Sequence, residues 1–464
     1  MPEKFYDVPG FFFKVKPMRF EADARDLEVI GQIPKELEGT FYRCCPNAQF
    51  PSIEHDNITN GDGMVTMLRI ENGHADFKSR WVRTERFERE REARKRLFGL
   101  YRNPYTDDPS VADAKDRDNT ANTNVVMHAG RLFALREDSR PTELDPDTLA
   151  TKGVWDFAGR LRSKAVTAHP KFDPVTGEWW SHGFFADKDL VSNKMCLQVI
   201  DQAGTLQREE WFDAPYAGLT HDFAVTREHV IFPLMPLTVD PKRVQAGGDF
   251  YAYDPDKPCY FGIMRRDDPV QNIRWFKRQN AFCGHIMNAY TDGDRVVVDC
   301  TISHGNGFSF FKDVKGQVTP PSEGVATLSR LTFDLGGPGD SYTVEPFAGA
   351  IGEMPRIHPA YYMDKYRYGY MLAIPGGIGR LDWETKTLQV HALERTACGE
   401  PVFVPRSSTS PEGDGFVLSL VDRLDENRSD LLILDAMNMT AEPLAVVKLP
   451  FRAPKAFHGS WVPR

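Results

Sequence analysis

One local unit recurs from end to end of this chain: a β-rich run, a turn built on Asp, Gly, Pro or Asn, and a second β-rich run. It is seen at 132–149 (LFALREDSRPTELDPDTL), 168–185 (AHPKFDPVTGEWWSHGFF), 197–212, 250–264, 329–347, 377–393 and 430–449. Each reads as a hairpin, because Gly, Asn, Asp and Pro supply the backbone conformations that tight turns need. Further strands fall between them, at 228–235, 294–302, 366–374 and 414–422. Many short antiparallel strands with few helices restrict the fold to an all-β sandwich, barrel or propeller. Repetition of one unit through the whole length favours the propeller. The 464 residues would suffice for two or three ordinary domains, but Gly and Pro are spread evenly and no linker stands out. A single domain over 1–464 is therefore expected.

One segment departs from the β pattern. Residues 83–103 (RTERFEREREARKRLFGLYRN) are rich in helix formers and charge, with Phe87, Leu97 and Phe98 as the apolar positions. A helix lying over one face of the domain is expected there. A formal net charge of −9 argues against non-specific binding to nucleic acid or to anionic membrane. No apolar run reaches transmembrane length. The N-terminal MPEKFYDVPGFFFKVKP has only a three-Phe run, too short for a secretory core. The seven cysteines lack metal-like spacing, so reduced thiols in the cytoplasm are expected.

Four histidines each sit in a distinctive phrase: His169 in TAHPKFDPVTGE, His221 in LTHDFAVT, His285 in GHIMNAY and His458 in FHGSWVPR. They are spread over nearly the last two thirds of the chain, so only the complete fold can bring them together. An all-imidazole set suits a redox-active divalent metal such as iron, with positions left open for dioxygen. His55, His74, His128, His182, His229, His304, His358 and His391 are read as ordinary histidines, with His304 in TISHGNGF the one expected near a pocket mouth. NGDGM at 60–64 is a tight turn; it lacks the strand, loop and helix that a phosphate cradle requires.

These phrases, with IPKELEGTFYRCCPNAQF (33–50), LFGLYRNPYTDDPSV (97–111), TANTNVVMHAGRLFALREDS (120–139), GEPVFVPRSSTSPEGDGFVL (399–418) and DENRSDLLILDA (425–436), resemble the carotenoid cleavage oxygenase family. Residues 97–139 look like its phenylpropanoid-cleaving branch, the lignostilbene dioxygenases and isoeugenol monooxygenases. The resemblance implies a seven-bladed β-propeller with a loop and helix cap over a metal on its axis. It implies Fe(II) held by His169, His221, His285 and His458, with Glu137, Glu353 and Glu400 behind the imidazoles. A metal-bound imidazole normally donates its other N–H to such a partner.

In that branch a Tyr and a Lys hold the phenolic oxygen of the substrate. Tyr101 matches the first; the second position is Arg136. Arg stays charged where Lys can share a proton. It can also fork onto a carboxylate, which opens the way to an acid-bearing substrate. Residues 136 and 137 are neighbours on an expected strand and so should face opposite ways unless the strand end twists or bulges. The bland reading of Arg136 is a pair with Asp138. Phe308 is expected to wall the pocket, and Thr59 stands where lignostilbene dioxygenases tend to carry Phe.

The implied activity is Fe(II)- and dioxygen-dependent cleavage of the side-chain double bond of a 4-hydroxyphenyl alkene, a propenylphenol or hydroxystilbene, to aldehydes such as vanillin. The alternative within the family is cleavage of an apocarotenoid polyene; the charged segment 83–103 and Tyr101 speak against it. A propeller serving as a binding module would not need four intact ligand phrases. A zinc hydrolase usually has three protein ligands and a water.

Overall fold

In the computed structural model, the described residues are 17–464 apart from 52, 54, 55, 189, 190 and 321. The N-terminal three-Phe run and His55 lie outside them. The chain is mostly β, 46% strand and 7% helix. Its strands form six hydrogen-bonded, antiparallel sheets of four to seven strands. The largest is bent at Thr343–Ile357. This 15-residue strand pairs through its first part with Thr327–Asp334 and through its last part with Tyr368–Ala373.

Six of the expected hairpins pair as read. Lys171–Phe172 turns through Asp173–Gly177 into Trp179–Phe184, for example, and Gly377–Asp382 pairs with Thr387–Ala392. The expected hairpin at 250–264 is a correction. Tyr251–Tyr253 and Cys259–Arg265 do not pair with each other; both pair with the long strand His229–Val239. That strand has room for two partners along one edge, and the intervening DPDKP turn joins them end to end rather than side by side.

Apolar layers separate successive sheets. Tyr42, Val65 and Met67 meet Val125, Leu132 and Ala134. Val126, Phe133 and Leu135 meet Trp179 and Ile200. The sequence of layers ends where Phe41, Leu68 and Phe77 meet Leu418, Leu431 and Val447, so the last sheet packs on the first. The two ends of the chain close this circuit. His458–Pro463 pairs with Gly39–Asn47, and Glu28–Gly31 pairs with Ala445–Lys448. A strand with a sheet on either side is buried on both faces, as Gly39–Asn47 is throughout. An outer strand such as Thr387–Ala392 keeps its water-facing positions, because nothing packs beyond it.

The expected helix over 83–103 is shorter, Glu85–Ala93. Thr84 caps its start and Arg94 ends it in the left-handed region at φ 54°. Beyond it the chain runs irregularly. Glu90, buried, accepts hydrogen bonds from the backbone N–H of Leu97 and Phe98, both 3.0 Å. Arg86 reaches Oδ1 of Asn60 at 2.8 Å. The helix thus fixes two irregular segments, one carrying Thr59 and the other Tyr101.

Candidate metal centre and substrate pocket

The four histidines arrive from the inner ends of different sheets. His458 opens the final strand, opposite Cys44. His285 lies in Phe282–Asp292, at a bulge where pairing skips from Cys283 to Ile286. An extra residue at a bulge re-aims a side chain, which here points His285 inward. His169 precedes Lys171–Phe172, and His221 lies between Gly218–Leu219 and Ala224–Val225. Their ligand atoms all lie within 4.8 Å of one another. Nε2 of His221 is 3.2 Å from that of His169 and 3.1 Å from that of His285. Two nitrogens about 2.1 Å from a shared ion lie about 3.0 Å apart at a right angle and about 3.4 Å apart at a tetrahedral angle. The 3.1 Å spacing is nearer the right angle, and the 3.2 Å spacing falls midway between the two.

Three carboxylates stand behind the imidazoles. Nδ1 of His221 donates to Glu137 at 2.7 Å, Nδ1 of His285 to Glu353 at 2.7 Å, and Nδ1 of His458 to Glu400 at 2.9 Å. Each bond fixes the tautomer and turns the Nε2 lone pair inward. The acids are themselves held. Glu353 accepts from Thr301 Oγ1 (2.7 Å) and from the Met354 N–H (3.0 Å). Glu400 accepts both forks of Arg356 (2.9 and 3.0 Å) and the Gly459 N–H (2.9 Å). Against the upward push of burial, Arg356 and His458 hold Glu400 down to about 2. Burial drives His458 down to about 4 even against the pull of Glu400, and lowers His169 well below the ordinary range. Both rings are neutral donors of a lone pair at pH 7. The glycine of GHIMNAY is a steric requirement, since a Cβ on Gly284 would sit 2.2 Å from Oε1 of Glu353. Nothing in the donor set conflicts with a divalent ion that prefers nitrogen.

Asp222 had no special standing in the sequence. It accepts the Ile286 N–H at 2.8 Å, pairs with Lys171 Nζ at 2.8 Å, and directly follows His221. One buried carboxylate therefore ties together the segments of His169, His221 and His285. Its signal in the sequence is only the HD pair.

A cavity opens on His221, His285 and His458. Thr59, Tyr101, Arg136 and Phe308 line it, and so does Glu137, which the sequence placed only behind an imidazole. Phe310, Phe311 and Phe457 add aromatic wall that the sequence had not singled out. Phe308 stands edge-on to the His221 ring, 5.0 Å between centroids. Met354, in the left-handed region at φ 57°, also lines the cavity. His304 does not; it is exposed. Of the other histidines, His128 and His391 bond to carbonyls at 3.1 Å.

Arg136 and Glu137 face the same cavity because the strand Arg131–Leu135 ends before them, so alternation along a strand does not apply. Tyr101 donates its hydroxyl to Oε1 of Glu137 at 3.3 Å, and burial pushes that phenol well above its usual range. The Arg136 guanidinium lies over the Tyr101 ring, 4.9 Å from its centroid. Its Nε reaches Asp138 at 3.1 Å, and its Nη1 reaches Asn122 Oδ1 at 2.9 Å and the Thr59 carbonyl. Asp138 also takes Nε of Arg102 at 3.2 Å. The pair with Asp138 and the place in the cavity wall coexist. The open fork for a carboxylate does not: with Nε and Nη1 engaged, only Nη2 has no hydrogen bond to a described residue.

Comparison with known proteins bears on this site. The family profile described as RPE65, retinal pigment epithelial membrane protein, matches residues 15–463. An isoeugenol monooxygenase of Pseudomonas nitroreducens is 40% identical over 466 residues, covering 97% of this chain and 96% of that one. Lignostilbene-alpha,beta-dioxygenase isozyme III of Sphingomonas paucimobilis is 38% identical, covering 98% and 97%. The crystal structure of Pseudomonas brassicacearum lignostilbene dioxygenase superposes with a TM-score of 0.93 at 37% identity, covering 97% of each chain.

Proposed function

This chain belongs to the RPE65 family of carotenoid oxygenases, and on that premise we propose that it is an Fe(II) enzyme that splits the side-chain double bond of a 4-hydroxyphenyl alkene. The observation that carries the reading is the joint geometry. Four imidazoles, three of them backed by carboxylates, converge beside a cavity with aromatic walls. The seven sheets counted when the bent one is divided at Thr343–Ile357, packed in a closed circuit, support a seven-bladed propeller around that centre. His169, His221, His285 and His458 would hold the ion. A ferrous ion in an all-nitrogen shell with open positions supplies dioxygen binding and activation.

The protein's own groups do the rest. Phe308, Phe310, Phe311 and Phe457 pack the aryl alkene and exclude water. Tyr101 and Arg136 both line the cavity, and a substrate phenolic oxygen would take the Tyr101 O–H in place of Glu137 with Arg136 Nη2 as a second donor, which fits a phenol better than a carboxylate needing two parallel donors. The permanent charge of Arg136 favours the phenolate, and a phenolate raises electron density on the conjugated double bond. The sum closes without a reductant: alkene plus dioxygen gives two carbonyls, the two electron pairs of the double bond going to the two oxygen atoms. All seven cysteines are free, which supports a reducing compartment, the cytoplasm. No helix among the described residues is long and apolar enough to cross a membrane.

The test is aldehyde release by the ferrous-loaded protein in air, across isoeugenol, a 4-hydroxystilbene and an apocarotenal. Vanillin or hydroxybenzaldehyde from a phenol is the expected result. Cleavage of the apocarotenal alone would overturn the substrate class.

A further inference from the structure

Behind Glu400, away from the substrate cavity, lies a second cluster of buried charge. Arg43, on the strand Gly39–Asn47, is 4% exposed. Its guanidinium makes no hydrogen bond and no ion pair with a described residue, and Nη1 is buried without a partner. Arg452 stands in the same neighbourhood. Its Nε and Nη2 are likewise buried without hydrogen-bond partners, with Asp422 Oδ2 3.5 Å from Nε. Lys455 gives one bond, to the Cys398 carbonyl at 2.6 Å. Asp422 lies close enough to act electrostatically on both Arg43 and Lys455, Arg43 and Arg452 each lie close enough to act on Lys455, and burial lowers both Arg43 and Lys455 from their ordinary values.

Three cations thus face one carboxylate. Asp422 is one charge against three: its Oδ1 accepts from Ser429 Oγ at 2.7 Å, and its Oδ2, 3.5 Å from Arg452 Nε, accepts no hydrogen bond from a described residue. Glu400, the other acid near Arg43, is filled by Arg356, His458 and the Gly459 N–H. A guanidinium has five donors and cannot shed its charge, so a buried one without an acceptor is untenable in an apolar setting. The acceptor must also be small. A Cβ on Gly459 would sit 3.1 Å from Arg43 Cγ, and one on Gly399 would sit 3.7 Å from its Nη2.

We propose that a small inorganic monoanion of the halide class binds inside the molecule against Arg43 and Arg452, at the seam where the first and last parts of the chain pair. Arg43 lies on the strand that His458–Pro463 joins, and Arg452 and Lys455 lead into His458. The anion would therefore fasten the seam from within. Arg452 is 22% exposed, which gives the ion a route to exchange.

Two measurements on the iron-loaded protein test this. Crystals soaked in sodium bromide should show an anomalous peak in contact with Arg43 Nη1. Ordered water only, a density feature without anomalous signal, overturns the proposal. In solution, replacing gluconate by chloride at constant ionic strength should raise the unfolding temperature. Each tenfold rise in chloride above its dissociation constant shifts the folding equilibrium by up to about tenfold. Arg43→Gln should remove that dependence. An equal chloride dependence in the wild type and the variant overturns the site. If Arg43→Gln does not fold, Arg452→Gln is the second variant, and the bromide experiment needs neither.

Discussion

The two ends of the cavity are built differently. At the metal end, the side chains sit on or beside paired strands, and Glu353 and Glu400 are each held by further donors besides the imidazole. At the other end, Tyr101, Arg136 and Thr59 sit on segments outside the regular strands. They are held by bonds to one another and to Asp138 and Asn122. The difference teaches a division of labour. A centre that must present four lone pairs to one point needs a rigid frame. A pocket end that selects among substrates can be varied on loops without disturbing that frame. Changes at the metal end should therefore move metal content and turnover together. Changes at the loop end should move KM and substrate preference with metal content intact.

The largest effect expected is from His285→Ala: no bound iron and no detectable turnover, with circular dichroism unchanged. Retained turnover would break the assignment of the centre. Glu353→Gln keeps the shape but weakens the grip on the His285 N–H. A loss of about 10- to 100-fold in iron affinity is expected by titration against a competing chelator, and unaltered affinity would mean that the bulge alone positions the ring. Asp222→Asn should lower iron affinity by roughly tenfold, since three ligand segments lose a common anchor. A fall in activity at constant affinity would instead make Asp222 a pocket residue.

At the loop end, Arg136→Met should raise KM for 4-hydroxylated substrates about tenfold, the worth of one hydrogen bond to a charged group. Iron content should hold, and a parallel fall in iron would erase the contrast between the two ends. Thr59→Phe is the smallest, a few-fold change in the ratio of isoeugenol to hydroxystilbene cleavage, read from competing substrates in one vessel.

The four histidines proposed as ligands, and the three acids that bond to them, were legible as a group because each lies in a phrase whose neighbours are fixed by local packing. Gly284, which makes room for Glu353, is an example. Asp222 was not legible, since its partners, Lys171 and Ile286, are 51 and 64 residues away and reached only through the fold. The state of Arg136 was half legible. Its proximity to Asp138 is a matter of two residues, but Thr59 and Asn122 come from elsewhere and decide that no carboxylate fork remains. The segment 83–103 looked helical throughout because its composition favours helix. It is helical only as far as Ala93, where Glu90 captures the backbone of Leu97 and Phe98 instead of letting the helix run on.

By itself, the sequence determined the strand and turn alternation, because turn chemistry and side-chain pattern are local. It also determined the residue types available to a metal. The tertiary structure decided which strands pair, as with the two runs that share His229–Val239. It decided that one carboxylate ties three histidine-bearing segments together, and that the buried Arg43 Nη1 has no hydrogen-bond partner among the described residues beside the closing seam. Those outcomes depend on distances between residues far apart in the chain, which no local preference encodes.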